Sequence, residues 1–266
     1  MVDVTKLEIP VVPRWGYKKT SATGYLYENL LTDKEFDSLS NYWEQIQVHG
    51  VDFDQTLYKF KGRTFGIANQ RSFNTKYDRK IFELTEFTDY WYQTPDTIRQ
   101  YAAEKALSNL HPRIIQTINK IKSLPPFNEN PDDWIIFRGL VNVLIYDQLL
   151  AIHLDSNPLY FKSKMDEIDF YSITIYLNEV SLGGEFWIEG DPGFVLTPKV
   201  NTAFAFPGSH VAHGVNQNKD ENQTTRRAIT LRIANVNSLY LPGKPDEFNA
   251  VNPLVYNNFF DKKADS

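Results

Sequence analysis

The chain contains 266 residues, and its 28 Lys and Arg residues against 33 Asp and Glu residues give a net charge of −5 at pH 7. This balance lacks the broad basic surface that a nucleic-acid backbone requires, so it argues against nucleic acid as a partner. The chain has no cysteine, which excludes disulfide bonds, thiolate nucleophiles and thiolate metal sites. Any metal ion must therefore be bound by His, Asp or Glu.

Hydrophobic residues make up 42% of the chain and aromatic residues 14%, a composition typical of a globular protein with a buried core. The N-terminal sequence lacks the apolar run of a signal peptide, and no window approaches the roughly 20 apolar residues of a membrane span. We therefore expect an intracellular, cytoplasmic protein that does not contact membranes. The sequence carries no sign of its oligomeric state.

The first half of the chain shows two helical patterns. Thr32 and Glu35 have the spacing of a capping box and precede apolar residues at helical intervals. A second pattern opens at Thr94, is interrupted near Pro112 and stops at Pro125. These patterns predict a helical and irregular N-terminal half over 1–133.

From Trp134 onward, short runs rich in Ile, Val, Phe, Tyr and Thr alternate with Gly, Pro, Asn and Asp clusters, which indicates β-strands. No helix-length gap separates these runs, so the pattern favours a jelly roll over βαβ units. We expect a single domain over 1–266, mainly β (α+β), with N-terminal helices packed on one sheet of a cupin-like core over 134–240 and a C-terminal tail over 241–266. The predicted strands are 134–138, 140–147, 151–155, 170–178, 184–188, 193–197, 202–206, 210–216 and 226–235.

A His-x-Asp sequence lies in the β half. His153 and Asp155 are two residues apart, so on a strand their side chains project to the same face and can converge on one cation. A third ligand from a distant strand would complete the two-His, one-carboxylate arrangement that leaves three open positions on Fe(II). His210 and His213 are the candidates, and only one of them can point inward from a regular strand. The alternative for His153 and Asp155 is a weak surface ion pair.

Several further motifs accompany His-x-Asp in a recognisable order. They are His153-Leu154-Asp155, Ile173–Asn178, Gly183–Phe186, Phe204–Pro207, His213-Gly214-Val215 and Thr225–Thr230. With these motifs, the segment from Tyr146 to Thr230 resembles the iron(II) and 2-oxoglutarate-dependent dioxygenases, specifically the prolyl 4-hydroxylase-like branch. The resemblance implies a double-stranded β-helix, and it favours His213 over His210 as the distal ligand.

The resemblance also implies the cofactors and the reaction. Fe(II) would be held by His153, Asp155 and His213, which would be the catalytic residues, with 2-oxoglutarate and O₂ as co-substrates and ascorbate as a candidate reductant. The products would be succinate, CO₂ and a hydroxylated substrate. A prolyl or other protein or peptide residue is the leading substrate; a free amino acid, a small metabolite or a nucleobase is the alternative within this class. A zinc hydrolase and a non-catalytic jelly-roll module are the alternatives outside it.

Four residues are expected to bind 2-oxoglutarate. Arg226 can hold the far carboxylate through two parallel hydrogen bonds, and Thr230 follows on the same strand face. The resemblance assigns Tyr176 to the same carboxylate and makes Tyr146 a second tyrosine candidate. Arg232, deeper on the same face, is the alternative to Arg226.

Two loops stand out in the β half. The stretch 214–225, between the distal His and the basic residue, is longer and more polar than is usual in this family. The loop 156–169 leaves the strand of His153 and Asp155, so it must border the open coordination face, and it is expected to act either as a lid over the substrate or as an inert surface loop.

Overall fold

The structure is a computed structural model that describes residues 1–11, 20–48, 58–60, 63–65, 67–70, 79–86, 112–144, 146–147, 149–155, 170–222 and 224–236. The predicted helical pattern over 94–111, the candidate lid over 156–169 and the tail over 241–266 lie outside the described residues. The division of the chain into one domain with three parts stays a prediction.

The described residues are mainly β, with two α-helices and one short 3-10 helix over Pro131–Asp133. The α-helices are α1 (Asp33–Val48) and α2 (Pro112–Lys122). The strands are β1 (Asp3–Pro10), β2 (Ser21–Glu28), β3 (Tyr58–Phe60), β4 (Arg63–Phe65), β5 (Ile67–Gln70), β6 (Arg79–Glu86), β7 (Trp134–Leu144), β8 (Leu150–His153), β9 (Phe170–Tyr176), β10 (Phe186–Ile188), β11 (Phe194–Leu196), β12 (Thr202–Phe206), β13 (His213–Val215) and β14 (Arg226–Asn235).

Two antiparallel sheets form the framework. The larger sheet has eight strands in the order β1-β2-β12-β9-β14-β7-β6-β5, and the smaller has four in the order β11-β10-β13-β8. Residues of both sheets share one buried apolar cluster, in which Tyr176 and Phe204 of the larger sheet join Phe186 and Val215 of the smaller. The two inner faces therefore enclose a common core, an arrangement consistent with a jelly roll.

Most predicted strands are confirmed. The predicted strands 202–206 and 226–235 match β12 and β14, and the predicted strand 170–178 ends two residues early as β9. The two strands predicted at 134–138 and 140–147 are one strand, β7, because Gly139 stays in the ladder opposite Leu231. The pairing of β7 with β14 has a register shift between Arg232 and Ile233, close to the predicted break at position 139.

The prediction that residues 1–133 are helical and irregular is wrong where the structure has the strands β1 to β6. β1 and β2 pair along their whole length, and β2 joins β12 through Tyr27 opposite Ala203. β5 and β6 extend the other end of the same sheet. In β1, buried and exposed residues do not alternate strictly, so the chain carries only a weak strand signal there.

The predicted capping box at the start of α1 is confirmed, and α2 ends at Lys122, before the predicted stop at Pro125. The Thr32 backbone N–H donates to Glu35 Oε2 at 2.8 Å, and the Glu35 N–H donates to Thr32 Oγ1 at 3.4 Å, which is the capping box at the start of α1. α2 begins at Pro112, where a proline lacks only an N–H that the first turn leaves unpaired. One buried cluster contains Leu39 of α1 and Ile118 of α2 together with residues of the larger sheet. Among the described helices, none has the length and apolar character that crossing a membrane requires.

Replacing Thr32 by Ala should lower the free energy of unfolding by about 1 kcal/mol, because α1 loses its capping hydroxyl. Urea denaturation measures this loss. The matched control is Asp37→Ala, an exposed change within the same helix, which should stay within about 0.5 kcal/mol of the parent chain. Equal effects of the two changes would contradict a capping role for Thr32.

Candidate active site

The strand pairing of the smaller sheet brings the two histidines of the predicted triad together. His153 ends β8, His213 begins β13, and the two residues lie opposite each other in the ladder. Their ring centroids are 4.4 Å apart. Asp155 follows two residues after His153, and the three side chains offer ligand atoms that all lie within 4.8 Å of one another. The predicted residues are therefore assembled into one group that can hold a metal ion.

Gly208 makes room for the side chains of Ser172 and Asp155. The Asp155 N–H donates to the Gly208 carbonyl at 3.0 Å, so the two backbones are in direct contact. A Cβ atom on Gly208 would lie 2.2 Å from Ser172 Oγ and 3.1 Å from Asp155 Cβ. Only glycine fits between these side chains without displacing them.

A backbone contact orients His213. Its Nδ1 lies 2.8 Å from the Val211 carbonyl oxygen, and because a carbonyl can only accept, Nδ1 must carry the hydrogen. The Nε2 atom then faces Asp155, at 3.8 Å from Oδ2, while His153 Nε2 is 3.7 Å from Oδ1. A second hydrogen bond of this kind fixes the tautomer of metal-binding histidines.

The Asp155 carboxylate is buried but well supplied with donors. Arg232 Nη2 donates to its Oδ1 and Ser172 Oγ donates to its Oδ2; Arg232 and Ser172 lie directly opposite each other on β14 and β9. Burial alone would raise the pKa of Asp155, but the charges of Arg232, His213 and His153 and the Ser172 hydrogen bond outweigh it and hold that pKa well below its ordinary value. Asp155 is therefore an anionic ligand at neutral pH.

His210 does not join the group. Its Nδ1 lies 2.8 Å from Ser209 Oγ, and its backbone N–H donates to the Pro207 carbonyl at 3.1 Å. This placement agrees with the expectation that His213, rather than His210, points inward.

Arg226 is buried with part of its guanidinium unpaired. Its side chain is 2% exposed, and its Nε donates to the Gly184 carbonyl at 2.8 Å. The Nη2 atom has no hydrogen-bond partner among the described residues. A buried donor without a partner costs free energy, so this atom is suited to a bound acceptor.

Tyr176 lies beside Arg226. The guanidinium carbon is 5.4 Å from the centre of the tyrosine ring, and the hydroxyl is buried with no hydrogen-bond partner within the part of the chain that the structure describes. Burial raises the pKa of Tyr176 to about 12, against the opposing effect of the Arg226 charge. The hydroxyl thus stays protonated, and Tyr176 and Arg226 together offer donors suited to a carboxylate.

One cavity connects the metal-binding group with Arg226, whereas Tyr176 contacts Arg226 without being among the residues that line this cavity. Thr230 lines it and accepts a hydrogen bond from Asn142 Nδ2 at 2.8 Å. By contrast, Tyr146 is 49% exposed and is not among the lining residues, so the structure does not bring it to the cavity. The full lining is Asn142, Leu144, Leu150, His153, Asp155, Thr174, Phe186, Phe206, His213, Val215, Arg226, Thr230 and Arg232.

The sequence reasoning missed three polar residues of this site. Asn142 and Thr174 line the cavity, and Ser172 binds Asp155. Asn142 could have been found, because it is the polar residue within the apolar run 140–145 and shares a strand face with Leu144. The partner of Ser172 could not, since it depends on packing between distant segments.

Comparison with known proteins gives matches at the level of structure. No family model matches the chain, and no curated protein matches it. One similar structure is a 2OG-Fe(II) oxygenase family oxidoreductase from Burkholderia pseudomallei, with 17% identity, 78% of this chain and 82% of that chain covered, and a TM-score of 0.46. A Pseudomonas putida prolyl-4-hydroxylase matches at 14% identity, with 79% and 91% covered and a TM-score of 0.44.

A third similar structure is the non-heme alpha ketoglutarate dependent carbocyclase SnoK from nogalamycin biosynthesis, at 11% identity, with 85% of each chain covered and a TM-score of 0.48. Independently of these matches, the His-x-Asp and the distal His that carry the resemblance of the sequence to the iron(II) and 2-oxoglutarate-dependent dioxygenases lie together in one group.

Replacing Arg232 by Met in the metal-free protein should lower the free energy of unfolding by about 3–5 kcal/mol, because the change leaves a buried carboxylate without its charge partner. Urea denaturation in the presence of a chelator measures the loss. Adding Asp155→Asn to Arg232→Met should restore much of it, and Arg113→Met, at an exposed contact with Gln116, should change little. A loss below about 1 kcal/mol in Arg232→Met would contradict the charge pairing.

Proposed function

We propose that the protein is an Fe(II)- and 2-oxoglutarate-dependent oxygenase that hydroxylates an unactivated C–H bond. One observation carries the proposal: His153, Asp155 and His213 line the same cavity as Arg226, whose buried Nη2 atom has no hydrogen-bond partner within the described part of the chain. A metal centre and a carboxylate-binding group facing one cavity suit a co-substrate that has a chelating end and a distant carboxylate.

The donor set fits Fe(II). Two imidazoles and one carboxylate, without thiolate, form the ligand set of oxygenases that keep open positions for co-substrates. His153, Asp155 and His213 would hold the ion; when bound, Fe(II) supplies the activation of O₂ that is coupled to conversion of 2-oxoglutarate to succinate and CO₂. The His153 side chain is 28% exposed, so the group is accessible from one side.

The chain's own residues bind and orient the co-substrate. Arg226 pairs with the far carboxylate of 2-oxoglutarate and Tyr176 donates its hydroxyl to the same group, while Thr230 lies between Arg226 and Arg232 on the inward face of β14. Arg232 already binds Asp155, so Arg226 is the residue that we assign to the co-substrate. Phe186 and Phe206 pack on His213 with ring centroids 5.4 and 4.7 Å away, and these rings exclude water from the metal side of the cavity.

The proposal also includes a class of substrate. The motifs of the prolyl 4-hydroxylase-like branch favour a prolyl or other peptide residue as the substrate. In this proposal the fold is a jelly roll whose N-terminal helices pack against its larger sheet. A free amino acid, a small metabolite or a nucleobase is the alternative substrate, processed by the same chemistry at the same site.

Anaerobic titration of the Fe(II)-loaded protein with 2-oxoglutarate tests the function directly. A visible charge-transfer band should appear and saturate at one co-substrate per chain, because the 2-oxo acid chelates the iron. The single changes His153→Ala, Asp155→Ala and His213→Ala should abolish the band, whereas the control His210→Ala should retain it. A zinc hydrolase or a non-catalytic module would give no band, and that result would contradict the proposal.

Changing Arg226 to Ala should weaken 2-oxoglutarate binding by roughly a hundred-fold or more, since a lost partner of a buried charge pair costs about 3–5 kcal/mol. The affinity for iron should remain within about two-fold of the parent protein. Both constants can be read from separate titrations of metal and co-substrate. Unchanged 2-oxoglutarate affinity in Arg226→Ala would move the carboxylate-binding role elsewhere.

A further inference from the structure

The long polar stretch between His213 and Arg226 folds against the turn that contains Gly183 and Gly184. The Lys219 N–H donates to the Leu182 carbonyl at 2.9 Å, the Gly184 N–H donates to the Gln217 carbonyl at 3.3 Å, and the Ser181 N–H donates to Asp220 Oδ2 at 2.7 Å. We call these paired segments, 181–185 and 216–222, the clasp.

Asn218 is the centre of the clasp. It is fully buried, and its Nδ2 donates to the carbonyls of Leu144 at 3.0 Å and Thr224 at 2.8 Å. Its carbonyl accepts from the Asp147 N–H at 2.8 Å, and its Oδ1 accepts from the Asp220 N–H at 3.1 Å. One side chain and its backbone thus connect the end of β7, the following turn and the residues just before β14.

The clasp also requires its two glycines. Gly183 and Gly184 have φ values of +78° and +72°, which side-chain-bearing residues rarely adopt. A Cβ atom on Gly183 would lie 1.9 Å from the Gln217 carbonyl oxygen, and one on Gly184 would lie 3.0 Å from Arg226 Cδ. The turn can approach both the polar stretch and Arg226 only because these side chains are absent.

The clasp contacts Arg226 through Gly184. The Gly184 carbonyl, fixed through its own N–H to Gln217, accepts the Arg226 Nε hydrogen bond at 2.8 Å. A guanidinium is planar and rigid, so holding Nε sets the plane and direction of the whole group. The edge that carries Nη2 is then the part left to meet a ligand in the cavity.

We infer that the clasp, through Asn218 and Gly184, positions the Arg226 guanidinium and so sets the length of the 2-oxo diacid that the cavity accepts. The inference rests on the proposed function. The two histidines of the metal-binding group pair across β8 and β13, and the clasp holds Arg226 at its Nε atom, so the distance between the two determines which dicarboxylate spans them. Asn218 and Gly184 are positioning residues, since they act on the co-substrate only through Arg226.

The test compares three 2-oxo diacids on the Co(II)-loaded protein: oxaloacetate, 2-oxoglutarate and 2-oxoadipate, with four, five and six carbons. The variants are Asn218→Ala and Gly184→Ala, and the matched control is Glu221→Ala, an exposed change in the same stretch. Both clasp variants should bind 2-oxoglutarate at least ten-fold more weakly, and their preference for 2-oxoglutarate over 2-oxoadipate should fall at least five-fold. Co(II) affinity should stay within two-fold, and Glu221→Ala should match the parent protein in every constant.

Loss of Co(II) and 2-oxoglutarate affinity in equal measure, or weaker binding of all three diacids with unchanged selectivity, would overturn the inference, because either result indicates a merely structural role.

If Asn218→Ala and Gly184→Ala do not fold, Asp220→Ala decides, because it removes the side-chain link to Ser181 and leaves Asn218 in place. That variant should lower the selectivity at least two-fold, and unchanged selectivity would overturn the inference. Failure of the parent Co(II) protein to bind any of the diacids would instead refute the proposed function.

Discussion

Burial of the Asp155 carboxylate is the constraint on which the site depends. An ionised carboxylate removed from water is costly unless charged and hydrogen-bonding partners surround it, and here Arg232, Ser172 and two histidines do so. These partners come from four separate strands, and Gly208 leaves the space that the Ser172 hydroxyl and the Asp155 Cβ atom require. The larger and smaller sheets must therefore pack in one relative position for the carboxylate to be stable. The same position brings His153 and His213 together.

Two arginines on the inward face of β14 have different roles. Arg232 compensates the charge of Asp155, whereas Arg226, six residues earlier, donates its Nε hydrogen to Gly184 and has an Nη2 atom with no hydrogen-bond partner among the described residues. Both arginines line the cavity, and successive residues on one face of a strand are about 6.8 Å apart. A metal ion and a dicarboxylate can then be bound by separate sets of residues, and each set can be altered without loss of the other.

The parts of this account that follow from local pattern could be predicted from the sequence. The alternation in 226–235 predicted β14 and its inward face, and the His-x-Asp spacing predicted that His153 and Asp155 would converge. What depends on contacts between distant segments could not be predicted: the pairing of Arg232 with Asp155, the space at Gly208 and the buried position of Asn218. β1 and β2 were missed because they join the sheet with little period-two alternation, so that only their pairing with β12 reveals them as strands.

A crystal structure of the protein with Mn(II) and 2-oxoglutarate, grown without O₂, would show directly whether one cavity holds both the metal ion and the co-substrate. We expect one metal ion bound by His153, Asp155 and His213, the 2-oxo acid end of the co-substrate on that ion, and the far carboxylate on Arg226 and Tyr176. Arg232 should remain on Asp155. A metal ion bound elsewhere, or a far carboxylate on Arg232 with Arg226 unoccupied, would contradict this expectation.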